Sequence, residues 1–214
     1  MSRVYCCGCQ LPQAACLCAY VHPQPCPMPT IIYQHPLEAK HAKSTVPLLR
    51  LCLSNIGIEV GEQLTPPTAL NTGHWWLLYP DANAVDLDVL CSKQVRAMLS
   101  ENTQSTGVQE KNLQAKKQLG GLIVLDGTWR KTRLLLHLNP WLNDLPKLTF
   151  SQAPKSGYAM RKGPGGQALS TLESVSHVFN RLYPEFLTAP LHALLAARVR
   201  QFQAQTRPTN TPNV

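Results

Sequence analysis

Short apolar runs alternate with amphipathic stretches along most of the chain. Several runs have the composition of strands buried in a sheet, at residues 30–35, 58–60, 75–79, 121–125 and 147–150. Other stretches repeat apolar residues at helical spacing, at residues 46–53, 84–99, 128–138, 169–182 and 189–203. Strands that alternate with helices predict an α/β domain with a mainly parallel sheet.

Three segments follow neither pattern. Residues 1–29 are rich in Cys and Pro and predict a compact knuckle, residues 100–118 predict a polar loop or a decorated helix, and residues 151–166 predict an irregular loop. We therefore expect a Cys-rich knuckle at residues 1–29, a main domain at residues 30–205 and a polar tail at residues 206–214.

The basic charge of the chain lies almost entirely in its second half. Residues 1–107 contain six Lys and Arg against seven Asp and Glu, whereas residues 108–214 contain fourteen against five, and the net charge is +8. Basic charge concentrated in this way is typical of proteins that neutralise phosphates. A solvated basic face that only keeps the protein soluble explains the charge by itself equally well.

The sequence contains no candidate signal peptide or membrane span. The first residues lack an apolar core, and no run approaches the roughly 20 apolar residues that a helix needs to cross a bilayer. We therefore expect a cytoplasmic protein with reduced cysteines.

A cluster of cysteines near the N-terminus follows the pattern C-x2-C-x6-C-x-C, formed by Cys6, Cys9, Cys16 and Cys18. Four thiolates can converge on one tetrahedral ion, and an all-sulfur set suits structural Zn²⁺. The alternative is a set of buried thiols or disulfides, and disulfides are not expected in a reducing compartment. Cys7 lies inside the cluster and Cys26 just after it, so the pattern predicts the number of ligands and leaves these two cysteines as alternative ligands. Cys52 and Cys91 fall in helical patterns and are expected in the core.

The apolar run at residues 121–125 ends at Asp126, where parallel sheets place ligands. Thr128 then begins a helix that carries three basic side chains on one face, Arg130, Arg133 and His137. A carboxylate beside a basic helix face predicts a docking site for a polyanion. The alternative is that Asp126 only caps the helix and Trp129 packs in the core.

The loop at residues 155–166, KSGYAMRKGPGG, adds three further cations, Lys155, Arg161 and Lys162. Its glycines would let a ligand approach the backbone closely, and Tyr158 could stack on a base. The residue order differs from a Walker phosphate loop. A plain flexible loop is the simpler interpretation of this string by itself.

The motifs of this chain and their order resemble those of the DTW-domain family, the tRNA-uridine aminocarboxypropyltransferases. The resemblance rests on the cysteine pattern, YQHPLE at 33–38, LLYP at 77–80, DGTW at 126–129, YAMRK at 158–162 and LSTLES at 169–174. It extends to about residue 200. Residues 100–118 and Cys7 have no counterpart in it.

The resemblance implies a SPOUT-like fold with a trefoil knot, and it implies tRNA and S-adenosylmethionine as substrates. The 3-amino-3-carboxypropyl group of S-adenosylmethionine would pass to N3 of a tRNA uridine, with release of methylthioadenosine.

The resemblance also suggests roles for the motif residues. Asp126 is the candidate base or orienter of the uridine, because uracil N3 carries a proton at neutral pH. Thr128 would fix the turn, and Trp129 would shape the pocket. Residues expected to surround S-adenosylmethionine are Tyr79, Ser170 and Thr171. Cations expected to hold RNA phosphates are Arg130, Lys131, Arg133, Lys155, Arg161 and Lys162.

Two other functions stay open at this point. An RNA methyltransferase would release S-adenosylhomocysteine instead of methylthioadenosine. A non-catalytic zinc-bearing RNA-binding protein would bind RNA in a salt-sensitive manner without turnover.

Overall fold

The computed structural model describes residues 4–71, 74–91, 119–158 and 168–206. The polar segment at 100–118 and two predicted phosphate-binding cations, Arg161 and Lys162, lie outside these ranges.

A six-stranded parallel sheet forms the centre of the described part of the chain. Its strands are β1 Gln24–Gln34, β2 Leu53–Val60, β3 His74–Leu78, β4 Val85–Asp86, β5 Leu119–Asp126 and β6 Lys147–Thr149. Their spatial order is β2-β1-β5-β3-β6-β4, and all neighbouring pairs are parallel. The predicted parallel α/β architecture is confirmed, while the SPOUT class and the trefoil knot stay predictions.

Helices in the described ranges are α1 Pro36–Ala39, α2 Val46–Cys52, α3 Leu87–Cys91, α4 Trp129–Leu138, α5 Thr171–Leu182 and α6 Ala189–Thr206. Four of the five predicted helices are confirmed, with ends that differ by a few residues. The fifth, predicted at 84–99, is replaced at its start by β4, and residues beyond Cys91 lie outside the described ranges. None of the described helices combines the length and the hydropathy required to cross a bilayer.

Successive residues of the central strands enter two separate cores. Ile32 and Leu122 pack in the larger core, which α2, α3, α5 and α6 close. Tyr33 and Ile123 pack in the smaller core with Leu135 of α4. Side chains of a strand alternate between the two faces of the sheet, and here both faces are apolar. Helices cover both faces, as a buried parallel sheet requires. Helices α4 and α5 therefore lie on opposite faces of β5.

Strand β1 begins at Gln24, inside the segment predicted to be the knuckle. Three prolines, Pro25, Pro27 and Pro29, conceal this extension from a sequence pattern, because proline cannot donate to a sheet ladder. They are tolerated because β1 pairs with β5 only from Thr30 onward, so the proline-containing part has β2 alone beside it. The predicted domain boundary thus falls within a strand.

Candidate functional site

Asp126 ends β5 at the carboxyl edge of the sheet, directly opposite Gln34 of β1. It is 2% exposed. Its Oδ2 accepts a hydrogen bond from Gln34 Nε2 at 2.8 Å, and its Oδ1 accepts one from the hydroxyl of Thr171. Its backbone carbonyl accepts the N–H of His35 at 3.0 Å. One buried carboxylate therefore joins the ends of β1 and β5 to the start of α5.

A second buried carboxylate, Glu173, organises the first turn of α5. Ser170 caps the helix by accepting the N–H of Glu173 at 3.3 Å, and Glu173 Oε2 in return accepts the backbone N–H of Ser170 at 2.7 Å. Glu173 Oε1 also accepts the N–H groups of Gly157 at 2.8 Å and Tyr158 at 3.2 Å. Glu173 thus holds both chain segments that flank residues 159–167.

The segment that follows β1 contacts α4 and the end of β2. Glu38 is 5% exposed, and its Oε1 lies 2.7 Å from Lys131 Nζ of α4. His35 is also buried, with its Nδ1 accepting the N–H of Leu37 at 3.2 Å. Its Nε2 lies 3.2 Å from Glu62 Oε1. Because Nδ1 is an acceptor, the Nε2 atom carries the proton and donates to Glu62.

Trp129 begins α4 as an exposed aromatic side chain. It is 57% exposed, and it contacts Tyr79, which follows β3, in an edge-to-face arrangement with ring centroids 6.1 Å apart. The alternative that Trp129 packs in the core is therefore wrong. Thr128, not Asp126, occupies the cap position of α4, so the alternative role of Asp126 as the cap is also wrong.

An open cleft of about 780 Å³ lies along α4 beside the ends of β1 and β2. Its walls are formed by His35, Leu37, Glu62, Thr128, Arg130, Lys131, Arg133, Leu134 and His137. The three basic side chains predicted to share one helix face, Arg130, Arg133 and His137, all line it. Asp126 is not among the described residues that line this cleft, although Thr128 joins its edge to the DGTW turn.

The sulfur atoms of the four predicted zinc ligands converge near the N-terminus. All four lie within 4.8 Å of one another. The Sγ–Sγ distances are 3.5 Å for Cys6–Cys18 and Cys6–Cys16 and 3.8 Å for Cys9–Cys16. Tetrahedral Zn–S bonds of about 2.3 Å separate the sulfurs by roughly 3.8 Å, so the cluster could hold an ion of this size. Cys7 and Cys26 are not members of this group.

The thiols of the cluster differ strongly in acidity when no ion is bound. Hydrogen bonds from the backbone N–H groups of Cys9 and Gly8 lower the pKa of Cys6 to about 6. Hydrogen bonds with Cys6 and Cys16 raise the pKa of Cys18 to about 12. The cluster therefore shares protons among crowded sulfurs, and a bound cation would replace these protons.

The DTW domain family matches residues 3–204 of the chain. The chain belongs to this family. It is 28% identical over 215 residues to the Mus musculus protein named tRNA-uridine aminocarboxypropyltransferase 2, and 26% identical over 214 residues to the Macaca fascicularis protein of that name. Each alignment covers 96% of this chain and 66% of the relative, so the chain spans about two thirds of their length. A Drosophila melanogaster relative of the same name is 27% identical over 199 residues, with 90% of this chain and 74% of the relative covered. No solved structure matches.

Several predicted site residues of this DTW domain bond to other residues of the chain. Lys131 pairs with Glu38, and the hydroxyls of Ser170 and Thr171 bond to protein carboxylates. The prediction that Tyr158 stacks on a base is wrong, because it is 3% exposed and donates its hydroxyl to the carbonyl of Lys43 at 2.6 Å. The cation Lys155 is exposed.

Sequence reasoning assigned no role to four residues that organise this region, Gln34, His35, Glu62 and Glu173. Gln34 and His35 belong to the YQHPLE motif, and Glu173 belongs to LSTLES, so the motifs pointed to these positions without giving their contacts. Nothing in the sequence marked Glu62, because its place beside His35 depends on the pairing of β1 with β2.

Proposed function

We propose that this DTW-domain protein is a tRNA-modifying transferase that moves the 3-amino-3-carboxypropyl group of S-adenosylmethionine to N3 of a tRNA uridine. The observation that carries this proposal is the meeting of motif residues from distant parts of the chain around Asp126, where Gln34 of YQHPLE and Thr171 of LSTLES contact the DGTW aspartate. The names of the mouse, macaque and fly relatives support aminocarboxypropyl transfer to a tRNA uridine.

The reaction is a displacement at a carbon bonded to a sulfonium. Uracil N3 attacks the aminocarboxypropyl carbon attached to sulfur, the carbon–sulfur bond breaks, and its electron pair stays on sulfur in methylthioadenosine. The N3 proton is lost to an acceptor. Three carbons are attached to the sulfonium, so the site must select one by orientation, which supplies much of the rate enhancement in such reactions.

Asp126 acts as the orienter of the site in this proposal. Two donors already occupy its carboxylate oxygens, and the side chain is buried, which supports orientation over direct proton removal. By fixing the end of β5, Asp126 sets the position of the turn that carries Thr128 and Trp129.

The S-adenosylmethionine site lies at the carboxyl ends of β3, β5 and β6 in this proposal, as expected for open parallel sheets. Tyr79 and Trp129 form its aromatic wall. Ser170 and Thr171 act there through the position of their backbone, because their hydroxyls bond to Glu173 and Asp126.

The tRNA backbone lies over the exposed face of α4. Arg130, Arg133 and Lys155 are exposed, and Arg161 and Lys162 follow in the YAMRK motif. Lys131 contributes less to tRNA binding, because Glu38 Oε1 lies 2.7 Å from its Nζ and neutralises its charge. Arginine and lysine side chains of this kind bind phosphates whatever the base sequence of the tRNA.

We also propose that Cys6, Cys9, Cys16 and Cys18 bind one structural Zn²⁺. Four sulfurs at tetrahedral spacing suit this ion and leave no position for a catalytic water. The cytoplasmic location stays a prediction from the sequence.

The test is incubation of unmodified tRNA with the protein and S-adenosylmethionine, followed by mass spectrometry of the nucleosides and of the small products. We expect a uridine enlarged by an aminocarboxypropyl group and an equal amount of methylthioadenosine. Formation of S-adenosylhomocysteine would identify a methyltransferase. Tight tRNA binding without either product would favour the binding protein.

A further inference from the structure

The cleft along α4 contains three side chains to which the proposed reaction assigns no role, Leu37, Glu62 and Leu134, beside the arginines placed at the tRNA backbone. It lies beside the ends of β1 and β2, whereas the aromatic pair of Tyr79 and Trp129 lies toward β3. Its volume of about 780 Å³ is within the range of small-molecule sites. A phosphate contact alone would not require a cleft of this size.

Two arginines provide the net positive charge of this cleft. Arg130 and Arg133 are both exposed and one helical turn apart. Arg133 donates its Nε to the carbonyl of Trp129 at 3.3 Å, which uses one of its five N–H donors. Lys131 lies in the same wall, but its charge is balanced by Glu38. An anion would therefore bind at the two arginines.

A carboxylate, Glu62, lines the same cleft as these arginines. The side chain of Glu62 is 50% exposed, and the buried Nε2–H of His35 holds one of its oxygens at 3.2 Å. A site for phosphate alone would exclude a fixed carboxylate, because like charges repel. A held carboxylate accepts hydrogen bonds from hydroxyl or N–H groups, so the ligand must offer such donors near its anionic group.

Two apolar side chains complete the walls. Leu37 is 61% exposed and Leu134 is 38% exposed, and both line the cleft. Exposed leucines at this position offer a surface for the flat face of a base or for a ribose. A ligand that combines an anionic group, hydrogen-bond donors and an apolar face is a nucleotide.

We propose that this cleft is a ribonucleotide subsite, which rests on the proposed tRNA-modifying function. It holds one nucleotide of the tRNA other than the reacting uridine. Arg130 and Arg133 bind its phosphate, Glu62 accepts its 2′-hydroxyl, and Leu37 and Leu134 contact its base or sugar. A carboxylate that accepts a 2′-hydroxyl distinguishes RNA from DNA, because the deoxy sugar lacks that donor.

The test compares binding of a five-nucleotide uridine RNA with binding of its 2′-deoxy counterpart, measured by fluorescence anisotropy on the intact protein. We expect the wild-type protein to favour the RNA by about tenfold, the size expected of one hydrogen bond to a charged group. Glu62→Ala should reduce this preference to near unity. Glu185→Ala, which removes an exposed carboxylate between α5 and α6, should retain it.

A preference that is absent in the wild type, or unchanged in Glu62→Ala, overturns the proposal whatever the affinity. Leu134→Asn tests the apolar wall without changing the charge, and we expect both oligonucleotides to bind about threefold more weakly, in line with one lost apolar contact. Unchanged binding of both oligonucleotides by this variant contradicts the apolar contact.

The arginines are tested by the salt dependence of the same binding. Arg130→Gln and Arg133→Gln should each lower the slope of log K against log salt by about 0.7, as expected for one lost phosphate contact on a single strand. Arg50→Gln, an exposed position on α2 across the sheet, should not change it. Equal effects at all three positions would show that only overall charge matters, which overturns the subsite.

These outcomes are separable from those of the proposed function. A protein that discriminates RNA from DNA through Glu62 but forms no methylthioadenosine has the subsite without the transferase reaction. A protein that modifies tRNA but shows no Glu62-dependent discrimination has the reaction without the subsite.

Discussion

Asp126 is the residue on which the candidate site depends most. A buried carboxylate is costly unless donors satisfy it, and here Gln34 and Thr171 supply one hydrogen bond to each oxygen. The Gln34 amide is itself placed by Ser44, whose Oγ lies 2.9 Å from the same nitrogen. The position of the DGTW turn therefore depends on side-chain contacts and not only on the backbone ladder.

Asp126→Asn retains one oxygen that can accept from Gln34 Nε2, but its new NH2 group faces the hydroxyl of Thr171, which must then accept instead of donate, and the buried negative charge is lost. We expect a loss of about 1–3 kcal/mol in the free energy of unfolding. We also expect turnover to fall by about 100-fold, the usual effect of a small misplacement in a catalytic site. Urea denaturation and single-turnover kinetics measure the two effects.

A second variant separates orientation from proton transfer. Gln34→Glu combined with Asp126→Asn restores a donor–acceptor pair with the charge moved to β1. If Asp126 orients the site, stability and most of the turnover return together. Recovery of stability with turnover still at the level of Asp126→Asn would instead identify the Asp126 carboxylate as the base.

Two elements, β3 and β5, approach so closely that one position must be glycine. A Cβ atom added at Gly121 would lie 2.5 Å from ring atoms of Trp75, which is buried. The apolar pattern predicted strand β5 but gave no reason for a glycine at position 121 within it. The indole ring of Trp75 on the neighbouring strand β3 leaves no room for a side chain at Gly121.

Gly121→Ala should therefore destabilise the sheet by about 1–3 kcal/mol, the usual cost of an overpacked core. Gly157→Ala is the matched control, because the nearest atom to its added Cβ is 3.8 Å away and its N–H is retained. We expect the control to change stability by less than about 0.5 kcal/mol. Equal midpoints for the two variants in urea would contradict the close packing of Trp75 on β5.

The N-terminus of α5 provides the second test at this scale. Ser170→Ala removes a helix cap and should cost about 1 kcal/mol. Glu173→Ala should cost about 3 kcal/mol or more, because it leaves the N–H groups of Gly157 and Ser170 without this acceptor and the N–H of Tyr158 with Ser156 Oγ alone. Thermal unfolding monitored by circular dichroism measures both, and a smaller loss for Glu173→Ala would contradict its role as the common acceptor.

At the scale of the whole molecule, the cysteine knuckle packs on the main domain. Leu17 lies between Cys16 and Cys18 and is fully buried in the larger core. Gln201 of α6 donates its Nε2 to the carbonyl of Ala15 at 3.0 Å. Loss of the proposed zinc ion should therefore weaken the whole domain and not only its N-terminus.

The corresponding prediction concerns the zinc content of the protein and the effect of removing zinc on its stability. We expect one Zn²⁺ per chain by elemental analysis, retained in Cys7→Ser and lost in Cys9→Ser, because only Cys9 belongs to the sulfur cluster. Chelation and Cys9→Ser should both lower the midpoint of a single thermal transition, since structural zinc contributes folding free energy. A separate low-temperature transition with an unchanged main midpoint would show that the knuckle unfolds alone.

The sequence by itself determined most of the elements, the parallel α/β class and which four cysteines cluster. These properties are local, because burial repeats every two residues in a strand and every 3.6 in a helix, and the four cysteines lie within one short segment. The ordered motifs also identified the family. The first part of β1, which contains three prolines, was missed, since only its position beside β2 makes those prolines acceptable.

Tertiary structure alone decided what each motif residue contacts. Gln34 and Thr171 lie 92 and 45 residues from Asp126 along the chain, and no local pattern connects them. The same holds for Glu62 beside His35 and for the burial of Tyr158. Contacts of this kind depend on strand order and on which face each helix covers, and these are set by the packing of the whole chain and not by any one segment.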